Sequence, residues 1–268
     1  MSFEQVTAFR EESDALYELL SGLGNEDFER PTQFKGWAIE DVVRHLHVWN
    51  YAADRSAHGP EDFDRFVAAF SSFSGDGGLP AFEREWLGGG PRGRALMETW
   101  HDFYLGMCER FAADDPKARV RWVGPDMSVR SSVTARLMET WAHGQEIYDE
   151  LGVERVDTDR IKNIAFLGVR TLGWTFRNRG LEVPSETPYV RLVAPSGAIW
   201  EFGEPREDER IEGSATEFCQ VVTQVRNVAD TSLRVTGELA TKWMSIAQCF
   251  VGPAVDPPAP GTRHRVVR

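Results

Sequence analysis

The chain has 268 residues, with 30 lysines and arginines against 42 aspartates and glutamates, a formal charge of −12. That negative balance repels phosphate backbones and argues against general nucleic-acid binding. Hydrophobic residues at 41% and charged residues at 27% are ordinary for a soluble globular protein, enough for one large or two small domains without a disulfide or metal needed merely to fold.

The first stretch carries Glu4, Arg10, Glu11, Glu12 and Asp14, unlike a signal peptide. No later stretch approaches the roughly 18 apolar residues of a membrane span. A cytoplasmic protein without membrane or nucleic-acid partners is expected, acting on a small molecule, with its oligomeric state open. Phe3, Val6, Phe9, Leu16 and Leu20 predict an amphipathic helix over about 3–21, ended by Gly22 and Gly24. A second helix is predicted over about 38–57, with Ile39, Val42, Val43, Leu46 and Trp49 on one side and Pro60 beyond its end. Residues 61–90 hold two short possible helices and two glycine-rich breaks, and read as a long functional connection rather than core. Further helices follow over about 92–113 and about 128–151. Trp100 and Trp141 fall on their buried stripes. Four long amphipathic helices with one or two long connections predict a four-helix bundle.

A fifth helix, about 159–178, leads into a region of different character. Tyr189–Ala194 and Ile199–Phe202 read as a hairpin around Pro195, Ser196 and Gly197. A helix over about 213–224, a strand over 231–236 and a helix over 238–250 complete a small α+β part. The expected layout is a helical bundle over 1–157, a connecting helix and linker over 158–184, an α+β domain over 185–252, and a loose tail over 253–268.

Two residues in the fourth long helix, Glu139 and His143, are four apart and so share a face, where a carboxylate and an imidazole on adjacent turns can bind one divalent ion. The second helix offers His45 and His47, and periodicity does not choose between them. The alternative is a solvated polar stripe of Ser132, Arg136, Glu139 and His143 with ordinary ion pairs. Arg136, one turn before Glu139, and Arg226 are candidate catalytic or anion-binding groups, because a guanidinium fork suits carboxylates. For Arg226 the competing reading is a surface ion pair with Asp230. Cys108, Cys219 and Cys249 sit in apolar helical contexts and read as buried structural residues. Trp37, at a helix start, can wall a pocket.

The segments GWAIEDVVRHL and METWAHGQEIYDELG resemble the DinB-like metal-binding bundle of mycothiol-dependent maleylpyruvate isomerases. The resemblance matches Asp41, His45 and Leu46, then Glu139 and His143, and so selects His45 over His47. It implies a divalent metal, zinc by its ligand set, held by His45, Glu139 and His143 with an open position. Asp41 is then either a partner of the ligand His45, a helix cap or a water-facing group. The C-terminal part resembles the sterol-carrier-like α+β domain attached to that bundle, which would close over the metal. The implied function is a metal-dependent isomerase or S-transferase that activates a small thiol, with mycothiol as cosubstrate, on a small organic acid. Two alternatives stand beside it: a metal-assisted hydrolase that uses no thiol, and a non-catalytic protein that binds a metal or small ligand.

Overall fold

A computed structural model describes residues 3–267. The chain divides into two compact units, Met1–Ile147 and Tyr148–Arg268. The first contains helices α1 (Glu4–Ser21), α2 (Ile39–His58), α3 (Pro60–Ser72), α4 (Gly78–Trp86) and α5 (Gly93–Ala112). Two-residue strands β1 (Arg119–Val120) and β2 (Met127–Ser128) pair antiparallel before α6 (Val129–Leu151). The division between the units falls within the last turns of α6.

Helix α2 is central to the first unit, packing against α3, α4 and α5, while α1 packs on α5. Its N-terminus is closed by Asp41, whose carboxylate accepts the backbone N–H of Ala38 at 3.2 Å. Asp41 also receives Arg44 at 2.7 Å and Arg84 at 3.1 Å, so it caps the helix and neutralises two arginines. At the other end Gly59 stops α2, and Pro60, which has no N–H to leave unpaired, opens α3. Trp100 and Trp141 are fully buried.

Segment 61–90 does not behave as a mere connection. Phe66 on α3 and Phe82 on α4 form a buried cluster with Val48, Trp49 and Ala52 of α2, and Phe70, Phe73 and Trp86 pack against it. The apolar residues Phe63, Phe66, Phe70 and Phe73 recur every three or four positions, one helical face. The flanking glycines conceal that face in the sequence.

In the second unit a 3-10 turn, Asp159–Ile161, precedes α7 (Lys162–Arg170) and α8 (Leu172–Asn178). Strands β3 (Tyr189–Val193), β4 (Ile199–Phe202), β5 (Arg210–Ser214) and β6 (Arg234–Thr236) alternate with α9 (Ala215–Val222) and α10 (Glu238–Ile246). The sheet order is β4-β3-β5-β6. The β3–β4 hairpin sets Leu192 opposite Trp200, β3 and β5 run parallel with Val190 beside Ile211, and β5 and β6 are antiparallel. Phe218 and Trp243 meet edge to face in the core at 5.9 Å.

Three expectations change here. Strand β5 reads poorly in sequence because Ile211 is its sole large apolar residue, yet ladders on both sides hold it. The helix expected over 159–178 breaks at Thr171, and its residues are core rather than linker: Ile161, Ile164, Ala165, Leu172 and Phe176 are buried. The tail expected to be loose lacks helix and strand but is anchored. Gln224 donates to the Val255 carbonyl, Asn227 to the Pro258 carbonyl, and the Val266 N–H reaches the Asp149 carbonyl at 2.9 Å. Among the described residues no helix is long and apolar enough to cross a membrane.

Helices α7 and α9 approach closely at Gly168, where an added Cβ would lie 2.8 Å from a Val222 methyl carbon. Gly168→Val should therefore destabilise the protein by about 1–3 kcal/mol through overpacking, read as a lower urea midpoint at unchanged slope.

Candidate metal centre

Helix α6 places Glu139 and His143 on consecutive turns, and α2 brings His45 to them. One ligand atom from each of the three residues lies within 4.8 Å of the others. Nε2 of His45 is 3.5 Å and Nε2 of His143 is 3.3 Å from the same oxygen of Glu139. Two imidazoles and a carboxylate so arranged form a donor set that suits zinc and related divalent ions, and three protein ligands leave a coordination position for water or substrate.

The opposite edge of each imidazole is fixed by a second carboxylate. Nδ1 of His45 meets Glu83 at 2.7 Å, and Nδ1 of His143 meets Glu146 at 3.0 Å. The same Glu83 oxygen accepts the indole N–H of Trp49 at 2.8 Å. Carboxylates at both Nδ1 atoms favour protons there, so that each Nε2 faces the centre, donating to Glu139 when protonated and free to act as a ligand when an ion is bound. Glu83 comes from α4 and is fully buried, so segment 61–90 contributes directly to the site.

Aromatic rings enclose the set. Residues 34–37 form a tight turn in which the Trp37 N–H donates to the Phe34 carbonyl at 2.9 Å. Its two central residues, Lys35 and Gly36, have φ values of 54° and 69°, the left-handed pair of a type I′ turn, which favours glycine at one of them. The turn presents Phe34 and Trp37 together. Trp37 stacks on His143 with an interplanar angle of 7° and lies 5.4 Å from the His45 ring, while Phe34 meets His143 edge-on. Trp49 flanks His45, and Trp122 flanks Trp49.

Charge explains the rest of the geometry. Glu83, Glu139 and Glu146 bring three negative charges, and the neighbouring guanidinium of Arg136 offsets one. Burial opposes ionisation of Glu139, but hydrogen bonds from both imidazoles and the Arg136 charge hold its carboxyl well below the usual range. Burial likewise opposes charge on the histidines and is outweighed by the carboxylates. Glu83 raises His45, while Glu146 and Glu139 push His143 up to about 10. In the ion-free protein the carboxylates thus favour the protonated form of both imidazoles, and a divalent ion carries charge that can take the place of those protons.

The remaining sequence candidates separate clearly. The polar stripe of α6 is not a solvated face: Ser132, Arg136 and His143 are all buried. His47 lies outside the ligand set, edge-on to Phe103, and burial lowers it to about 4. Arg226 does not pair with Asp230. It makes a two-pronged ion pair with Asp149, both contacts 2.7 Å, whereas Asp230 accepts the Gly261 N–H. Cys108, Cys219 and Cys249 are free and buried. Glu83, Trp49 and Trp122 were not candidates from sequence, since nothing local connects them to His45. Glu146 was legible as a carboxylate three residues after His143.

Two outcomes follow. Glu83→Ala should weaken zinc binding by about 10- to 100-fold, with Glu83→Gln at the low end because its carbonyl still accepts from His45, measured by competition with a chromophoric chelator. The raised His143 stabilises the ion-free fold fully below about 6.5 and progressively less as pH rises through about 10. Ion-free protein should therefore lose melting temperature across that window. Zinc affinity should rise with pH over the same range, by about 100-fold per unit at most where both imidazoles release a proton.

A family model described as the mycothiol maleylpyruvate isomerase N-terminal domain matches residues 9–148. Two uncharacterized proteins of Mycobacterium tuberculosis, from strains CDC 1551 / Oshkosh and ATCC 25618 / H37Rv, are each 35% identical over 248 residues, 92% of this chain and 95% of their own. Crystal structures of the mycothiol-dependent maleylpyruvate isomerase and of a histidine-to-alanine mutant of it share the fold. The TM-score is 0.51 for both, at 17% and 16% identity, covering 81% of this chain and 87% of theirs. The bundle with its paired histidines and intervening carboxylate thus belongs to the mycothiol maleylpyruvate isomerase family.

Proposed function

We propose that the protein is a cytoplasmic, metal-dependent enzyme of the thiol-using isomerase or S-transferase type, acting on a small organic acid with mycothiol as cosubstrate. His45, Glu139 and His143 would hold the ion, zinc by the character of the donor set. The observation that carries the reading is the convergence of both Nε2 atoms on one Glu139 oxygen, each imidazole backed by its own buried carboxylate. Membership of the family supports the choice of thiol chemistry over other metal chemistry.

When bound, a divalent ion supplies Lewis acidity that makes a thiolate available near neutral pH. The chain's own groups do the rest. Glu83 and Glu146 keep protons on Nδ1 of the two histidines and so fix ring orientation. Phe34, Trp37 and Trp49 exclude water from one side of the reacting space, which strengthens electrostatic interactions inside it. In the isomerase form of the reaction, a carbon–sulfur bond forms on an activated double bond and the electron pair moves to the conjugated carbonyl. The former double bond rotates, then the carbon–sulfur bond breaks and returns the thiolate. The protein's own thiols are poor substitutes: burial pushes Cys108 up to about 12 and Cys219 well above the ordinary thiol range.

Purified protein should contain about one zinc per chain, lost in folded His143→Ala. With cobalt in place of zinc, added mycothiol should change the visible absorption bands. An unchanged spectrum at saturating thiol overturns the thiol reading, and ester or amide hydrolysis without thiol would replace it with a hydrolase.

A further inference from the structure

Arg136 lies one turn before Glu139 on α6 and is 5% exposed. Its guanidinium lies over the Trp122 ring, 5.3 Å from the centroid. Trp122 in turn contacts Trp49, which flanks the ligand His45. Arg136 therefore belongs to the same aromatic-walled space as the metal ligands.

Its surroundings contrast with those of the buried Arg44 and the half-buried Arg155 and Arg226. Arg44 is paired with Glu40 and Asp41, Arg155 with Asp157, and Arg226 with Asp149. Among the described residues, Arg136 has no carboxylate within ion-pair distance and no oxygen accepting any of its N–H groups. Glu139 acts on it only as a nearby charge. A guanidinium presents five donors in a planar fork, and leaving them unpaired away from bulk water is unfavourable. None of the Arg136 nitrogens is among the fully sealed, unpartnered buried atoms, so the fork is enclosed but not sealed off.

We propose that Arg136 is the carboxylate-binding fork of the site. It takes one carboxylate of the small organic acid bidentately and turns the rest of the molecule toward His45, Glu139 and His143. A planar carboxylate matches the fork and supplies the hydrogen-bond acceptors that the surrounding residues do not. Trp122 stacks beneath the guanidinium and holds its plane. This assignment rests on the metal-site reading above and adds to it the chemical class the pocket selects and the residue that selects it.

The test uses full-length zinc-loaded protein, with succinate and its uncharged analogue succinamide as probes, titrated by calorimetry. Succinate should bind saturably and succinamide at least 10-fold more weakly. Arg136→Gln should lose at least 10-fold in succinate affinity while keeping its zinc content, and Arg136→Lys, which keeps charge but not the fork, should fall between. Equal succinate binding by a folded Arg136→Gln protein overturns the proposal, as does equal binding of the two probes. Saturable binding that is absent from wild type overturns it as well. Should both variants fail to fold, wild-type protein still decides the matter. Succinate should shift a buried arginine Nε–H resonance in the nitrogen-15 spectrum, and no shift at saturation overturns the assignment. Failure of the thiol reading looks different: mycothiol leaves the cobalt spectrum unchanged while succinate still depends on Arg136.

Discussion

Two buried carboxylates, Glu83 and Glu146, and a half-buried third, Glu139, surround two imidazoles and dominate the first unit. Glu83, Glu139 and Glu146 come from different turns and meet the two imidazoles, with the Arg136 charge beside Glu139. A cluster of buried negative charge is tolerated only with compensating positive charge in contact. Protons on the two histidines meet that requirement, and so does one divalent cation. Both solutions would use the same atoms, since the Nε2 atoms that face Glu139 are the ones a cation would take.

That constraint gives segment 61–90 its purpose. Its aromatic residues bury against Val48, Trp49 and Ala52, and this packing carries Glu83 to His45 from 38 residues away. A carboxylate held by a packed helix loses less on charging than one that must be drawn in from water, because its position is already fixed. The fully buried Glu83 makes sense only as a partner of His45 and Trp49. On the other imidazole, Glu146 is three residues from His143 on one helix, so α6 supplies both the imidazole and the carboxylate that orients it.

Much of this was legible in the sequence because helical periodicity is a strong local signal. The long helices and the Glu139–His143 pair follow from spacing. The choice of His45 over His47 did not follow from spacing. It came from the motif around Asp41 and Leu46, and burial now gives the physical distinction: His47 packs against Phe103 as a neutral ring, while His45 faces carboxylates on both edges. Strand β5 and Glu83 were not legible for a shared reason. Each is defined by partners distant in the chain, β3 and β6 for the strand and His45 for the carboxylate. The bend at Thr171 and the anchoring of the tail by Gln224 and Asn227 are likewise tertiary decisions with no local mark.

The two arginines show how far residue type alone carries an argument. In sequence, Arg136 and Arg226 are equivalent candidates for anion recognition, each with an acidic residue three or four positions on. In the folded chain Arg226 is engaged by Asp149 through both prongs, and an incoming carboxylate would have to break that ion pair and take from the buried Asp149 its guanidinium. Arg136 has Trp122 beneath it and no acceptor before it. Under the proposal above, a carboxylate arriving there would break no ion pair. The difference in free energy between breaking an ion pair and completing one separates an arginine engaged as a structural clasp from the one proposed above as a carboxylate fork.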